Sequence, residues 1–441
     1  MSAGPGGGLP PLRAAVLVWA VAEVAYVCAV AARTSLGVAG VEAMERFSMS
    51  ASTLALFSSL QVGVYGLAQV PVGLALDRWG PRRLLTAGAV LVALAQAGMA
   101  LSTSVPAALT VRVLLGIGDA TAFVSVLRLL PNWFPSRRIP LFTQLTSILG
   151  LLGQIVSAVP FMAVLHHFGW STAFALMSGL GFAASLCAFA AVRDAPPQAA
   201  GRAEDVEELA EVDRERVEGT PGEPVRQTLS HVVRSPWSWL GFFTHWSGAG
   251  PSMTFTLLWG VPLMTLGMGM PAAQASAVLV AFTVVNIAVG PLVGQLTARR
   301  PRGRVPGVLL SAAASGLAWV LVLAPGEPPP AWSAWVLAAV LSVSGVSSSV
   351  GFDFVRQGSD PRRLGTATGW TNMGGFLCTL LCVQSIGWML DRVGAGGAYT
   401  WADFRIAMAL QGITWSIGVV GVLVSSRLLT RSGGWRRYRL G

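Results

Sequence analysis

The sequence predicts an all-α integral membrane protein with twelve transmembrane helices in two pseudo-symmetric six-helix bundles and both termini in the cytoplasm. Three observations predict it: an apolar composition, repeated apolar runs of membrane-spanning length, and arginines gathered in alternate links. Of 441 residues, 53% are hydrophobic and only 11% charged, against roughly a quarter charged in an ordinary soluble domain. That balance excludes a soluble enzyme. The formal net charge of +10 would suit nucleic acid if the basic residues formed one patch, but they sit in short clusters between apolar runs. The expected partner is therefore the lipid bilayer, with no nucleic acid.

A spanning helix needs about 20 mainly apolar residues. Such runs occupy 14–34, 52–76, 84–103, 107–130, 140–165, 170–192, 237–266, 271–297, 305–323, 332–352, 364–390 and 406–426. As soluble core helices they would need a core far larger than this chain can wrap. Arginine then orients them. Arg13, the cluster Arg78, Arg82 and Arg83, the pair Arg137 and Arg138, and the Arg-rich tail all fall on one side, with the other even-numbered links. Only Arg46, Arg392 and Arg405 fall on the opposite side, so the positive-inside rule makes the rich side cytoplasmic. A cleaved signal peptide ending near Ala29-Val30-Ala31 is the rival reading of the first run. It would leave eleven helices and place the Arg-rich tail outside, and is rejected.

These signals divide the chain into an N-terminal bundle over 1–192, a charged cytoplasmic linker over 193–236, and a C-terminal bundle with its basic tail over 237–441. The linker is densest in charge from Glu204 to Glu218, which reads as a solvated segment. All basic residues are Arg, so no G-x-x-x-x-G-K-[ST] phosphate loop is present. Cys28, Cys187, Cys378 and Cys382 lie in apolar runs without C-x-x-C spacing. No metal site, disulfide framework or cofactor is expected.

The two bundles look like repeats. At a separation of 221, Gly73 to Arg83 lies over Gly294 to Arg304. At 225, residues 143–169 lie over 368–394 and share Thr143/Thr368, Thr146/Thr371, Gly150/Gly375, Leu165/Leu390 and Gly169/Gly394. Repeats related by an axis along the membrane normal are the architecture of carriers whose site lies between the halves near the midplane.

Ten of the twelve runs contain no Asp, Glu or Arg, whereas the first holds Glu23 and Arg33 and the fourth holds Arg112, Asp119 and Arg128. Charges in hydrocarbon cost several kcal/mol unless they face a polar cavity or a partner. The clustering points to a functional cavity lined by helices one and four. At 100° per residue, Tyr26 and Arg33 lie within about 20° of one another, as do Arg112 and Asp119, with Glu23 about 80° from Arg33. Each helix thus carries one polar stripe. Arg33 also fits a residue snorkelling to the outer headgroups, Asp119 a structural pair with Arg112, and His245 a helix-packing residue.

The run Gly73 to Arg83 resembles the G-x-L-x-D-R-x-G-x-R-R signature of the major facilitator superfamily, and Arg112-x-x-x-Gly116-x-Gly118 resembles that family's fourth-helix motif. A narrower likeness is to the organic-anion and organic-phosphate branch, the anion:cation symporters. It is carried by Tyr26, Arg33-Thr-Ser-Leu-Gly-Val-Ala, Gln69-Val-Pro-Val-Gly73, Gly116-Ile-Gly-Asp119-Ala and Asn132-Trp-Phe-Pro-Ser-Arg-Arg138. Helix seven departs from the phosphate carriers, offering His245 and Trp259-Gly-Val-Pro262 where they place a second basic residue. The helix-five motif of drug/proton antiporters is not met by Gly150-Leu-Leu-Gly153-Gln-Ile.

The resemblance implies a multi-pass carrier of the cytoplasmic membrane, no enzyme, acting as a monomer by alternating access with protons as the coupling ion. Its expected substrate is a small organic anion held by Arg33, Tyr26, Trp259 and His245, since a guanidinium takes a carboxylate bidentately and keeps its proton. Asp119, Glu23 and Arg112 are the expected proton-coupling set. Asp77, Arg78, Arg82 and Arg83, with Arg128 and Asp353 at the cytoplasmic ends of helices four and ten, are the expected gate. Proton-driven export of drugs or metabolites and a non-transporting nutrient sensor are the alternatives.

Overall fold

The computed structural model describes residues 12–49, 51–196, 224–394 and 399–432. The Glu204 to Glu218 stretch and the last nine residues lie outside the described residues. Within them the chain is helical with no strand, and nine helices are long and apolar enough to cross a membrane. The chain packs as two compact units, Met1–His231 and Val232–Gly441.

The first unit runs through α1 (Leu12–Val38), α2 (Gly40–Phe47), α3 (Ala51–Leu101), α4 (Val105–Trp133), α5 (Ile139–Val156) and α6 (Met162–Ala191). The 51 residues of α3 are not one rod: Gly80 has φ 77° and ψ 163°, and Pro81 follows it. Positive φ suits glycine, and proline fits the first turn of a new helix, where its missing N–H leaves nothing unpaired. The break falls where the sequence separates the runs 52–76 and 84–103. A Cβ at Gly80 would lie 2.6 Å from Asp194 Oδ2. That carboxylate accepts the Arg82 backbone N–H through Oδ1 at 2.7 Å and so caps the new helix. Between α5 and α6 one π-helical turn, Ser157–Phe161, contains Pro160, and Gly169 at φ 80° breaks α6 in turn.

α3 packs along α4 and α6, and α1 against α4, α5 and α6. The α1/α5 contact is close because α5 presents Gly153, where a Cβ would stand 2.5 Å from Val27 O and 2.7 Å from Val30 Cβ. Small residues at helix crossings let backbones approach where lipid supplies no hydrophobic drive. The short helix α2, absent from the sequence-based expectation, ends on Phe47, whose ring meets Trp170 edge-on at 5.5 Å. Arg46 beside it donates to Ser102 O at 3.0 and 3.1 Å.

The second unit comprises α7 (Val225–Arg234), α8 (Pro236–Thr254), α9 (Ala272–Arg299), α10 (Arg304–Leu323), α11 (Trp332–Ser348), α12 (Val350–Gly358), α13 (Leu364–Val393), α14 (Trp401–Ala409) and α15 (Gln411–Arg431), α7 leading into it. α8 is central, packing against α11, α12, α13 and α15. It continues into two π-helical turns, Phe255–Trp259 and Leu263–Gly267, on either side of Gly260–Pro262. The expected linker thus ends in a helix, α7, whose Val232 is buried with Val355 and Ala367.

Candidate functional site

The polar stripes of α1 and α4 meet. Arg33 Nε donates to Asp119 Oδ2 at 2.6 Å and Arg33 Nη2 to Oδ1 at 2.9 Å. The Asp119 side chain is 0% exposed and that of Arg33 22%. Two parallel N–H···O bonds between a planar guanidinium and a carboxylate are the strongest geometry available to such a pair. The guanidinium also lies over the Tyr65 ring, 4.6 Å from its centroid, where the ring face attracts a cation. Arg33 is therefore held by α3 and α4 within its own half rather than extended to headgroups.

Arg112 is buried and does not pair with Asp119. Its Nη1 donates to Gln61 Oε1 at 3.2 Å and to Ala32 O at 3.3 Å. Gln61 Nε2 in turn donates to Arg33 O at 3.4 Å. One glutamine of α3 thus ties the α4 arginine to the α1 backbone on which Arg33 stands. Among the described residues Arg112 Nε and Nη2 have no hydrogen-bond partner.

The Tyr26 ring lies 5.5 Å from that of Phe123 of α4, tilted by 44°, and a Cβ at Gly150 would meet the Tyr26 ring at 2.6 Å. Glu23, one turn earlier, is 3% exposed, and among the described residues neither carboxylate oxygen has a hydrogen-bond partner. In the second unit Gly375 plays the part of Gly150: a Cβ there would meet His245 Cδ2 at 2.6 Å. The repeat at a separation of 225 thus puts an aromatic side chain of α1 and one of α8 in equivalent niches. The His245 ring lies 5.0 Å from that of Phe352, and its Nδ1 is unpartnered. Trp259 donates from Nε1 to Val383 O at 3.1 Å.

The candidate gate residues divide between the units. In the first, Asp77 is half-buried and Arg78 and Arg83 are exposed. Arg82 donates from Nη2 and Nε to Phe189 O at 2.7 and 3.1 Å. Arg128 donates to Asn132 Oδ1 at 3.5 Å. In the second, buried Asp353 takes Arg356 Nη2 at 2.6 Å on Oδ1 and Arg304 Nη2 at 3.6 Å on Oδ2. Arg304 also donates from Nε to Thr297 O at 3.1 Å, so this carboxylate joins the start of α10 to α12.

Sequence reasoning missed Gln61, Tyr65 and Arg304. Gln61, Tyr65 and Gln69 recur every four residues in the second apolar run, a polar stripe at helical spacing that marks the face turned to α1 and α4. Among the described residues no group of three or more His, Cys, Asp or Glu is arranged to hold a metal ion.

The family model described as Major Facilitator Superfamily matches residues 23–383. The chain belongs to this superfamily. Membership places it among multi-pass membrane proteins of transporter type and away from enzymes. Its fold is similar to that of the superfamily's proton:xylose symporter XylE bound to 6-bromo-6-deoxy-D-glucose, with TM-score 0.68, 14% identity, and 95% of this chain and 96% of that one covered. The hexuronate transporter of Bacillus subtilis is 26% identical over 204 residues, 45% of this chain and 44% of the relative. The probable L-galactonate transporter of Escherichia coli is 29% identical over 149 residues, 34% of this chain and 33% of the relative. The probable chloroplastic anion transporter 2 of Oryza sativa is 28% identical over 174 residues, 39% and 32%. The matches thus span less than half the length of these curated relatives.

Proposed function

We propose that this superfamily member is a secondary active transporter of the cytoplasmic membrane that carries a small hydroxylated carboxylate, coupled to protons, by alternating access of its two halves. The observation that carries the reading is the Arg33–Asp119 fork. A guanidinium edge is already shaped for a carboxylate, and Asp119 occupies it. A substrate carboxylate and Asp119 compete for one cation. Protonation of Asp119 removes its charge and frees the edge, and the incoming anion restores neutrality. One proton bound per carboxylate keeps the buried site uncharged overall, which is the condition for crossing a low-dielectric interior. Arg112 and Gln61 hold the α1 backbone beneath Arg33, and Tyr26 contributes a polar edge on the same stripe of α1. His245 and Trp259 belong to this reading as contacts for the rest of the solute.

Twelve spans with both termini inside belong to the same proposal. Gly80 and Gly169 divide two of the nine apolar helices, and Pro236–Gly267, interrupted by π turns, supplies one more. The arginine distribution orients them. Asp77, Arg78, Arg82 and Arg83 with Arg128 and Asp353 form the cytoplasmic gate, and the monomer is the working unit. The names of the hexuronate and L-galactonate relatives support an acid sugar as the solute.

Uptake into proteoliposomes tests this. Accumulation of labelled glucuronate or L-galactonate driven by an inward proton gradient is expected. Counterflow of lipophilic cations without anion uptake would indicate drug export instead, and saturable binding without flux a sensor.

A further inference from the structure

Glu23 is a carboxylic acid near the middle of α1, 3% exposed, with no hydrogen bond to either oxygen and no basic side chain in ion-pair reach among the described residues. Its neighbours on α1 and α5 are engaged with each other, since Trp19 Nε1 donates to Thr146 Oγ1 at 2.9 Å across the helix pair. An ionised carboxylate in such a place is uncompensated, whereas the protonated acid carries no charge to solvate. Intramembrane carboxyls are rare and mark proton or substrate pathways. Tyr26, one turn further along, lies in the electrostatic surroundings of Glu23, Arg33, Asp119 and Tyr65 together.

We infer that Glu23 is a second proton-binding carboxyl of the transport cycle, loaded in the conformation described here and separate from the Arg33–Asp119 pair. This rests on the proton-coupled reading above and deepens it. Glu23 keeps its own proton until the cavity opens on the other side, so a cycle that loads both acids moves the Asp119 proton and the Glu23 proton together. The two acids differ in what holds them. Asp119 faces a cation for which the substrate competes, whereas Glu23 lies beside the Thr146 hydroxyl and the Trp19 indole with no cation in ion-pair reach among the described residues, so its loading is independent of substrate.

The substrate-free chain, reconstituted in lipid at neutral pH, tests the loaded state by infrared spectroscopy. A carbonyl stretch of a protonated carboxylic acid is expected in the wild type and in Asp119→Asn, and is expected to be lost in Glu23→Gln; Glu23→Met serves in its place if the amide variant fails to reach wild-type helix content. A wild type without that band, or a Glu23→Gln variant that keeps it undiminished, overturns the inference. The second arm measures protons moved per glucuronate by combined pH-electrode and isotope flux, where Glu23→Gln is expected to move one fewer than the wild type. An unchanged ratio in Glu23→Gln overturns the coupling role even if the band is present. Absence of proton-linked flux in the wild type would count against the transport reading itself, and the infrared arm would still decide whether Glu23 holds a proton.

Discussion

Arg33 and Asp119 stand 86 residues apart in the chain and are joined by two hydrogen bonds of 2.6 and 2.9 Å between α1 and α4. The acid is wholly buried and the base partly open, so the pair has one closed member and one partly exposed member. Removing the base therefore leaves a buried carboxylate without compensation. Arg33→Ala is expected to cost about 3–5 kcal/mol, and Arg33→Ala with Asp119→Asn is expected to recover most of that loss without recovering uptake. Thermal unfolding in detergent beside liposome flux measures both. Arg33→Lys keeps the charge and loses the planar fork, so it is expected to fold and to bind the anion more weakly.

Asp119→Asn preserves hydrogen-bonding capacity without titrating. Solute exchange down its own gradient is expected to persist while proton-driven accumulation disappears. Undiminished uphill uptake in this variant would move the coupling role to Glu23 alone.

How far this site was legible follows from what a helix pattern encodes. Apolar runs gave the helices, and isolated charges singled out α1 and α4, because charge in hydrocarbon has few innocent explanations. A helical wheel fixes which residues share a stripe and leaves the rotation of one helix against another open. Arg112 and Asp119 share a stripe on α4 and were natural partners on that ground, yet Arg112 turns to Gln61 and Asp119 to Arg33. Gln61 and Tyr65 escaped because neutral polar residues interrupt an apolar run less visibly than charges. The pairing of Asp353 with Arg304, across 49 positions, depends on tertiary packing that no local pattern records. The π turns after α8 left only Gly260-Val-Pro262 as a trace in the sequence.

Asp353 holds two arginines, and its loss is expected to exceed the loss of either. Asp353→Asn leaves Arg304, itself buried, without its countercharge, and a cost of about 3–5 kcal/mol is expected. Arg356→Ala leaves the Asp353–Arg304 contact in place and is expected to cost less. Denaturation of purified variants ranks them, and an equal cost for both would show that Arg304 contributes nothing to the contact.

Gly80 has a backbone conformation unsuited to other residues and the Asp194 carboxylate against it. Gly80→Ala is expected to destabilise by about 1–3 kcal/mol. Asp194→Asn keeps an acceptor for the Arg82 N–H while removing the charge at the helix N-terminus, so its cost is expected to be smaller. Melting temperatures of the two variants check the order.

In the repeated gate segment, Asp77 has Ala298 as its counterpart. Asp77→Asn is expected to lose turnover severalfold while ligand binding persists, and Ala298→Asp to have little effect. Equal losses in the two variants, measured by flux and by equilibrium binding, would refute the asymmetry between the halves.

The competition of substrate and Asp119 for Arg33 is tested most directly by glucuronate affinity as a function of pH, measured by equilibrium binding to wild type and Asp119→Asn. In the wild type, affinity is expected to rise as pH falls, because each bound anion requires a proton on Asp119, and one proton is taken up per anion bound. In Asp119→Asn, where the edge of Arg33 is always free, affinity is expected to stay at the acid-side value across the range. A wild-type affinity that does not change with pH, or an Asp119→Asn variant that keeps the wild-type pH dependence, would contradict the account.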